Sequence, residues 1–107
     1  MNKWFLCLFL VFSPLSYGEY GVYGHGNETC ADWLKDSAAN PPWGRIIKHA
    51  WVLGYVTAFN NMQELNKTPL KPTDGAAISQ WIDGYCRDNT EASIEDAALA
   101  LVGHLGQ

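Results

Sequence analysis

The stretch Ile78-Ser79-Gln80-Trp81-Ile82-Asp83-Gly84-Tyr85-Cys86 decides the fold. Ile78, Trp81, Ile82, Tyr85 and Cys86 fall at i, i+3, i+4, i+7 and i+8, the face of an α-helix rather than the alternation of a strand. Asp74 is placed to cap that helix. Cys86 then turns inward from its last turn. Upstream, Thr29 has the chemistry of an N-cap, and Asp32 at N3 makes a partial capping box. Cys30, Trp33 and Leu34 share one face of the helix that follows, so Cys30 also turns inward, from a first turn.

The other helices follow from the same spacing. Asn40-Pro41-Pro42 ends the first and starts a second, because proline is tolerated in a first helical turn. The second runs from about Pro42 to about Gln63. Trp43, Ile46, Ile47, Ala50, Trp51, Gly54 and Ala58 recur at helical spacing, and Leu53, Val56 and Phe59 widen the stripe until most of the helix is apolar. The expectation is that it is the central, most buried helix. Gly54 costs about 1 kcal/mol against alanine in a helix interior, and a close helix crossing there would explain it. After Asn89-Thr90 a fourth helix shows Ile94, Ala97, Ala98, Leu101, Val102 and Leu105 without a break. Glu91, Glu95 and Asp96 near its start and His104 near its end suit the helix dipole. No strand alternation and no internal repeat appears. The fold class is all-α, a compact bundle of four helices over residues 29–107.

Between the second and third helices, residues 61–74 lose the pattern. Asn66, Lys67, Thr68, Pro69, Lys71, Pro72 and Thr73 make a polar, proline-punctuated connection of about ten residues, longer than usual. Leu70 is its one bulky apolar residue. It either tucks onto the core or projects as a binding anchor.

The N-terminus reads as an export signal. Lys3 precedes nine consecutive apolar residues from Trp4 to Phe12, Ser13-Pro14 breaks the run, and Ser16-Tyr17-Gly18 puts small residues at −3 and −1 of a cleavage site. Nine residues span about 14 Å as a helix, too short to anchor in a bilayer. Residues 1–18, with Cys7, are expected to leave. Residues 19–28 carry Gly21, Gly24 and Gly26 with no regular pattern and read as a flexible leader. A phosphate-cradling loop is the alternative, but no strand precedes these glycines and no GK[ST] follows.

What remains is 89 residues, with six basic and eleven acidic side chains and a net charge of −5, His neutral. That is one domain. It lacks the clustered Lys and Arg that nucleic acid or anionic lipid would require. Two cysteines in a small exported chain pair. Bridging Cys30 and Cys86 stabilises by about 4 kcal/mol in the chain-entropy model. A reactive thiol would need an electropositive setting, and only Arg87 lies beside either cysteine.

No catalytic constellation stands out. His25, His49 and His104 are scattered, and HExxH, CxxC and G-x-S-x-G are all missing. Asp83 with Asp88, and Glu91 with Glu95, read as solvated charges or caps rather than acid–base pairs. The reading is a non-enzyme with no cofactor and no metal. Trp33, Trp43, Trp51 and Trp81 are many for so small a core. They either pack inside it or mark a protein interface, where tryptophan is enriched. Surplus apolar surface of this kind would be buried in a homodimer.

Thr29-Cys30-Ala31-Asp32-Trp33-Leu34, then Trp51-Val52-Leu53-Gly54-Tyr55 with Asn60 following, then Trp81-Ile82-Asp83-Gly84-Tyr85-Cys86, and Asp96-Ala97-Ala98 before Leu101-Val102, together resemble the Rap/Tai family. These are periplasmic immunity proteins of type VI secretion systems, helical and often dimeric, that occlude peptidoglycan amidase effectors. The resemblance covers about residues 30–105 and implies a periplasmic binder of an amidase toxin. For an inhibitor that must enter a cleft, the projecting candidate is the connection, with Asn66, Lys67, Leu70 and Lys71 as its contact residues and prolines 69 and 72 pre-ordering it. The alternative is an acid-stress chaperone similar to the periplasmic Hde proteins. These are also small, exported, helical and single-disulfide, and they share the Thr-Cys, acidic, aromatic-Leu start.

Overall fold

The computed structural model describes residues 21–107. The expected export segment 1–18, with Cys7, and the first two leader residues lie outside them. Four α-helices follow in order: α1 Cys30–Ser37, α2 Trp43–Leu65, α3 Gly75–Asp88 and α4 Ile94–Leu105. No strand occurs among the described residues, and the fold is the all-α bundle read from the sequence.

Local chemistry starts each helix where the sequence places it. The Thr29 hydroxyl accepts from the Asp32 amide at 3.1 Å, and the Asp32 carboxylate accepts from the Thr29 amide at 3.2 Å, a complete capping box. Ser93 and Asp96 repeat the arrangement at α4, at 2.9 and 3.1 Å. Asp74 caps α3 by accepting from the Ala77 amide at 2.8 Å. The starts of α1 and α4 lie side by side. Cys30 N–H donates to Ala92 O and Ile94 N–H to Glu28 O, each at 2.8 Å, around a single antiparallel bridge of Thr29 with Ser93.

Cys30 and Cys86 are disulfide-bonded and fully buried, tying the first turn of α1 to the last turns of α3. The surrounding core contains Trp33, Val52, Ile78, Ile82 and the inner face of α4. Trp33 keeps its ring inside by donating from Nε1 to Asp83 Oδ1 at 2.7 Å, so the buried indole N–H is satisfied.

Three expectations are corrected here. The most buried helix is α4, in which Ile94, Ala97, Ala98, Leu101, Val102 and Leu105 are all inside, and not α2. Only Lys48, Val52 and Val56 of α2 are buried, whereas Trp43, Ile46, Ile47, Met62 and Leu65 are exposed. Second, no helix crosses at Gly54: a Cβ added there meets nothing within 4 Å. Third, one part of the 19–28 segment packs on α2. Gly24–Asn27 forms a 3-10 turn with Gly26 buried against the Trp51 ring, and Trp51 Nε1 donates to Tyr23 O at 2.8 Å. The glycines that looked like a source of freedom let backbone lie flat on an indole.

Candidate functional site

The connection 66–74 is built in two parts. Its first turn closes α2, with Asn66 N–H donating to Gln63 O at 3.1 Å and Thr68 N–H to Gln63 O at 2.8 Å. Lys67 sits there at φ 63°, the left-handed conformation that ends many helices and usually falls to glycine. The second part is pinned down. Leu70 N–H donates to Asn60 Oδ1 at 3.0 Å, and Lys71 N–H donates to Leu105 O at 2.9 Å.

Leu70 is therefore the buried foot of the connection and not its projecting tip; it is 9% exposed and belongs to the core. A leucine flanked by two backbone anchors has no freedom to reach a partner. Asn66, Lys67 and Lys71 remain exposed. Sequence reasoning assigned no role to Asn60, whose side chain fixes the connection from one turn inside α2. An amide followed ten residues later by the only apolar residue of a polar loop is the signal that could have found it.

Between this connection, α2 and the start of α3 lies an open cleft of about 370 Å³. Leu53, Val56, Ile78 and Leu105 give it an apolar floor, and Asn61 and Asp74 lie on its lining with Lys71.

The histidines do other work. His49 Nε2 donates to Gly75 O at 3.1 Å, fastening α2 to the start of α3, and its ring meets the edge of Trp33 with centroids 6.5 Å apart. His104 stacks on Trp81 at 5.7 Å, and Trp81 stacks in turn on Tyr85 at 5.8 Å. Among the described residues no group of three His, Cys, Asp or Glu side chains is arranged to hold a metal ion. No described helix is long and apolar enough to cross a membrane.

A charged cluster that the sequence reading passed over lies under the N-terminal turn. Lys48, buried in the second turn of α2, donates to Glu28 at 3.0 Å and to Asp36, while His25 is hydrogen-bonded to Glu28. Burial pulls the Lys48 ammonium down, but its hydrogen bonds to Asp36 and Glu28 outweigh that and leave its pKa raised. The same bonds, from Lys48 first and His25 second, hold the Glu28 carboxyl below its usual range. Asp32 is also lowered, by the backbone N–H and then the hydroxyl of Thr29. On the same side of α2, Trp51 and Tyr55 stack at 5.4 Å, and the Tyr55 hydroxyl donates to the buried Glu95 at 2.9 Å.

No family model matches the chain, and no curated protein or solved structure is similar to it at a significant level.

Proposed function

We propose that this protein is a periplasmic immunity protein that binds and inhibits a peptidoglycan amidase effector of a type VI secretion system, with no chemistry of its own. The observation that carries the reading is the anchoring of the 66–74 connection. The backbone amides of Leu70 and Lys71 hold it down at 3.0 and 2.9 Å, so the exposed Asn66, Lys67 and Lys71 sit on a frame that is already ordered, with Lys71 beside the cleft. A loop fixed before binding loses little entropy when it docks, which is what an inhibitor of an enzyme cleft requires. The resemblance of the Cys30–Leu105 motifs to Rap/Tai proteins supplies the amidase as partner, and the N-terminal segment supplies export and cleavage after Gly18.

The test is titration of the disulfide-bonded protein against purified cysteine amidases of the type VI effector class, read as peptidoglycan hydrolysis. Inhibition near one equivalent is expected. Lys67→Glu with Lys71→Glu is expected to weaken it by about tenfold or more, worth about 1.4 kcal/mol, with the fold unchanged. Full inhibition by that variant would dismiss the connection as the contact. No inhibition by the parent protein would dismiss the reading.

The charged cluster favours a second reading, the acid-stress chaperone. Protonation of Glu28 removes a partner of a buried ammonium that lies under the N-terminal turn over Trp51. Light scattering by an aggregating client at about pH 2–3 separates the two readings. Suppression supports the chaperone, and none removes it.

A further inference from the structure

The outer face of α2 has a symmetry that the fold itself does not use. Trp43, Ile47, Ala50, Gly54, Ala58, Asn61 and Leu65 recur at intervals of four, three, four, four, three and four residues, and all seven are exposed. Their mean spacing is close to the helical period, so they form one nearly straight line along a helix of 23 residues, about 34 Å long. The line reads the same from both ends. Gly54 is its midpoint, Ala50 and Ala58 flank it at equal distance, Ile47 and Asn61 come next, and Trp43 and Leu65 close the two ends. Ile46 and Met62, also exposed, widen the line at opposite ends.

We propose that this face packs against the same face of a second copy, as an antiparallel α2–α2 pair whose two-fold axis passes at Gly54. A closed two-fold interface is self-complementary, so residue i meets residue j and j meets i. An antiparallel pair centred on Gly54 puts Trp43 opposite Leu65, Ile47 opposite Asn61 and Ala50 opposite Ala58. The small residues lie where the helix axes are closest, and the large ones fill the ends. Gly54 has 4 Å of empty space beyond its Cβ position, room that a neighbouring backbone would occupy. The area suffices. Trp43 is 66% and Leu65 84% exposed, and covering them with Ile46, Ile47 and Met62 removes on the order of 600 Å² per copy. The pair then buries about 1,200 Å², the lower bound of a standard stable interface.

Equilibrium sedimentation of the disulfide-bonded protein at tens of micromolar is expected to give twice the mass of the chain. Gly54→Leu adds bulk where the isolated fold has room for it, so the helical signal and melt should survive while the mass falls to that of a monomer. Ile47→Glu should do the same. Register is read by cysteines oxidised after folding. Gly54→Cys should crosslink to itself, whereas Ala50→Cys should crosslink to Ala58→Cys on another copy and not to itself, because a disulfide needs Cβ atoms about 4 Å apart. A monomeric parent protein, a Gly54→Leu variant that stays dimeric, or efficient self-linking of Ala50→Cys would each overturn the proposal.

Discussion

Thr29 and Ser93 pair through their backbones as a single antiparallel bridge, and each is also the N-cap of its own helix. The starts of α1 and α4 are thus fixed to one another by the residues that fix them individually. Removing either side chain unties a capping box and leaves the bridge backbone in place. Thr29→Ala and Ser93→Ala are each expected to lower stability by about 1 kcal/mol, and the melting temperature by about 4–8 °C. Thermal melts followed by circular dichroism check this. Two unchanged melts would show that the boxes add nothing.

The Cys30–Cys86 disulfide closes a loop of 56 residues around α2 and the connection. Reducing and blocking both thiols is expected to lower stability by about 4 kcal/mol in the chain-entropy account. Urea midpoints before and after blocking measure it, and equal midpoints would contradict it.

Lys48, Glu28 and Asp32 set the pH range of the fold. Glu28 and Asp32 have lowered pKa values, so their contribution is present above the ordinary values of 4.5 and 3.8 and disappears as pH falls through the depressed ones. Lys48 is raised, so its contribution is complete below 10.5 and disappears as pH climbs through the raised value. Stability is expected to be flat from about pH 5 to about pH 10 and to fall on either side. Lys48→Met should cost about 2 kcal/mol at neutral pH and make the acid limb shallower, because Glu28 loses the larger cause of its shift. Urea midpoints from pH 2 to 8 would show this. Acid limbs of the same depth would rule it out.

Gly26 has no room for a side chain. A Cβ there would stand 2.3 Å from the Trp51 ring. Gly26→Ala is expected to lift the 3-10 turn off the indole at a cost of about 1–3 kcal/mol, with a red shift of tryptophan emission. Unshifted emission with an unchanged melt would mean that the turn does not cover Trp51 in solution.

Leu70 is a core residue carried on a loop, and Leu70→Ala should cost about 2–4 kcal/mol. The same substitution at an exposed tip would cost almost nothing, so the denaturation midpoint decides between the two placements.

Much of this was legible. Spacing gave α3 and α4 residue by residue, and short polar side chains marked the starts of α1 and α3. The disulfide followed from the cysteine count and from two inward-facing helical positions. What the spacing could not settle was α2. With apolar residues on every side, periodicity does not say which face meets the core, and the stripe from Trp43 to Ala58 reads as interior although much of it is exposed. Leu70 belongs to no periodic face, so its burial depended on Asn60 and Leu105, contacts distant in sequence. Lys48 did leave a trace. It shares a ridge with Val52 and Val56, both buried, and a lysine in such a row requires acidic partners, here Glu28 and Asp36.

The burial of α4 bears on when this chain folds. Its core-filling residues, 94–105, lie outside the covalent ring and follow it in the order of synthesis. Until they arrive, Val52, Ile78 and Ile82 have no inner helix to pack on, and the Glu28 carbonyl has no Ile94 amide to accept from. A chain that lacks α4 therefore stays open. Oxidation of the two cysteines can precede that moment, but closure of the hydrophobic interior cannot.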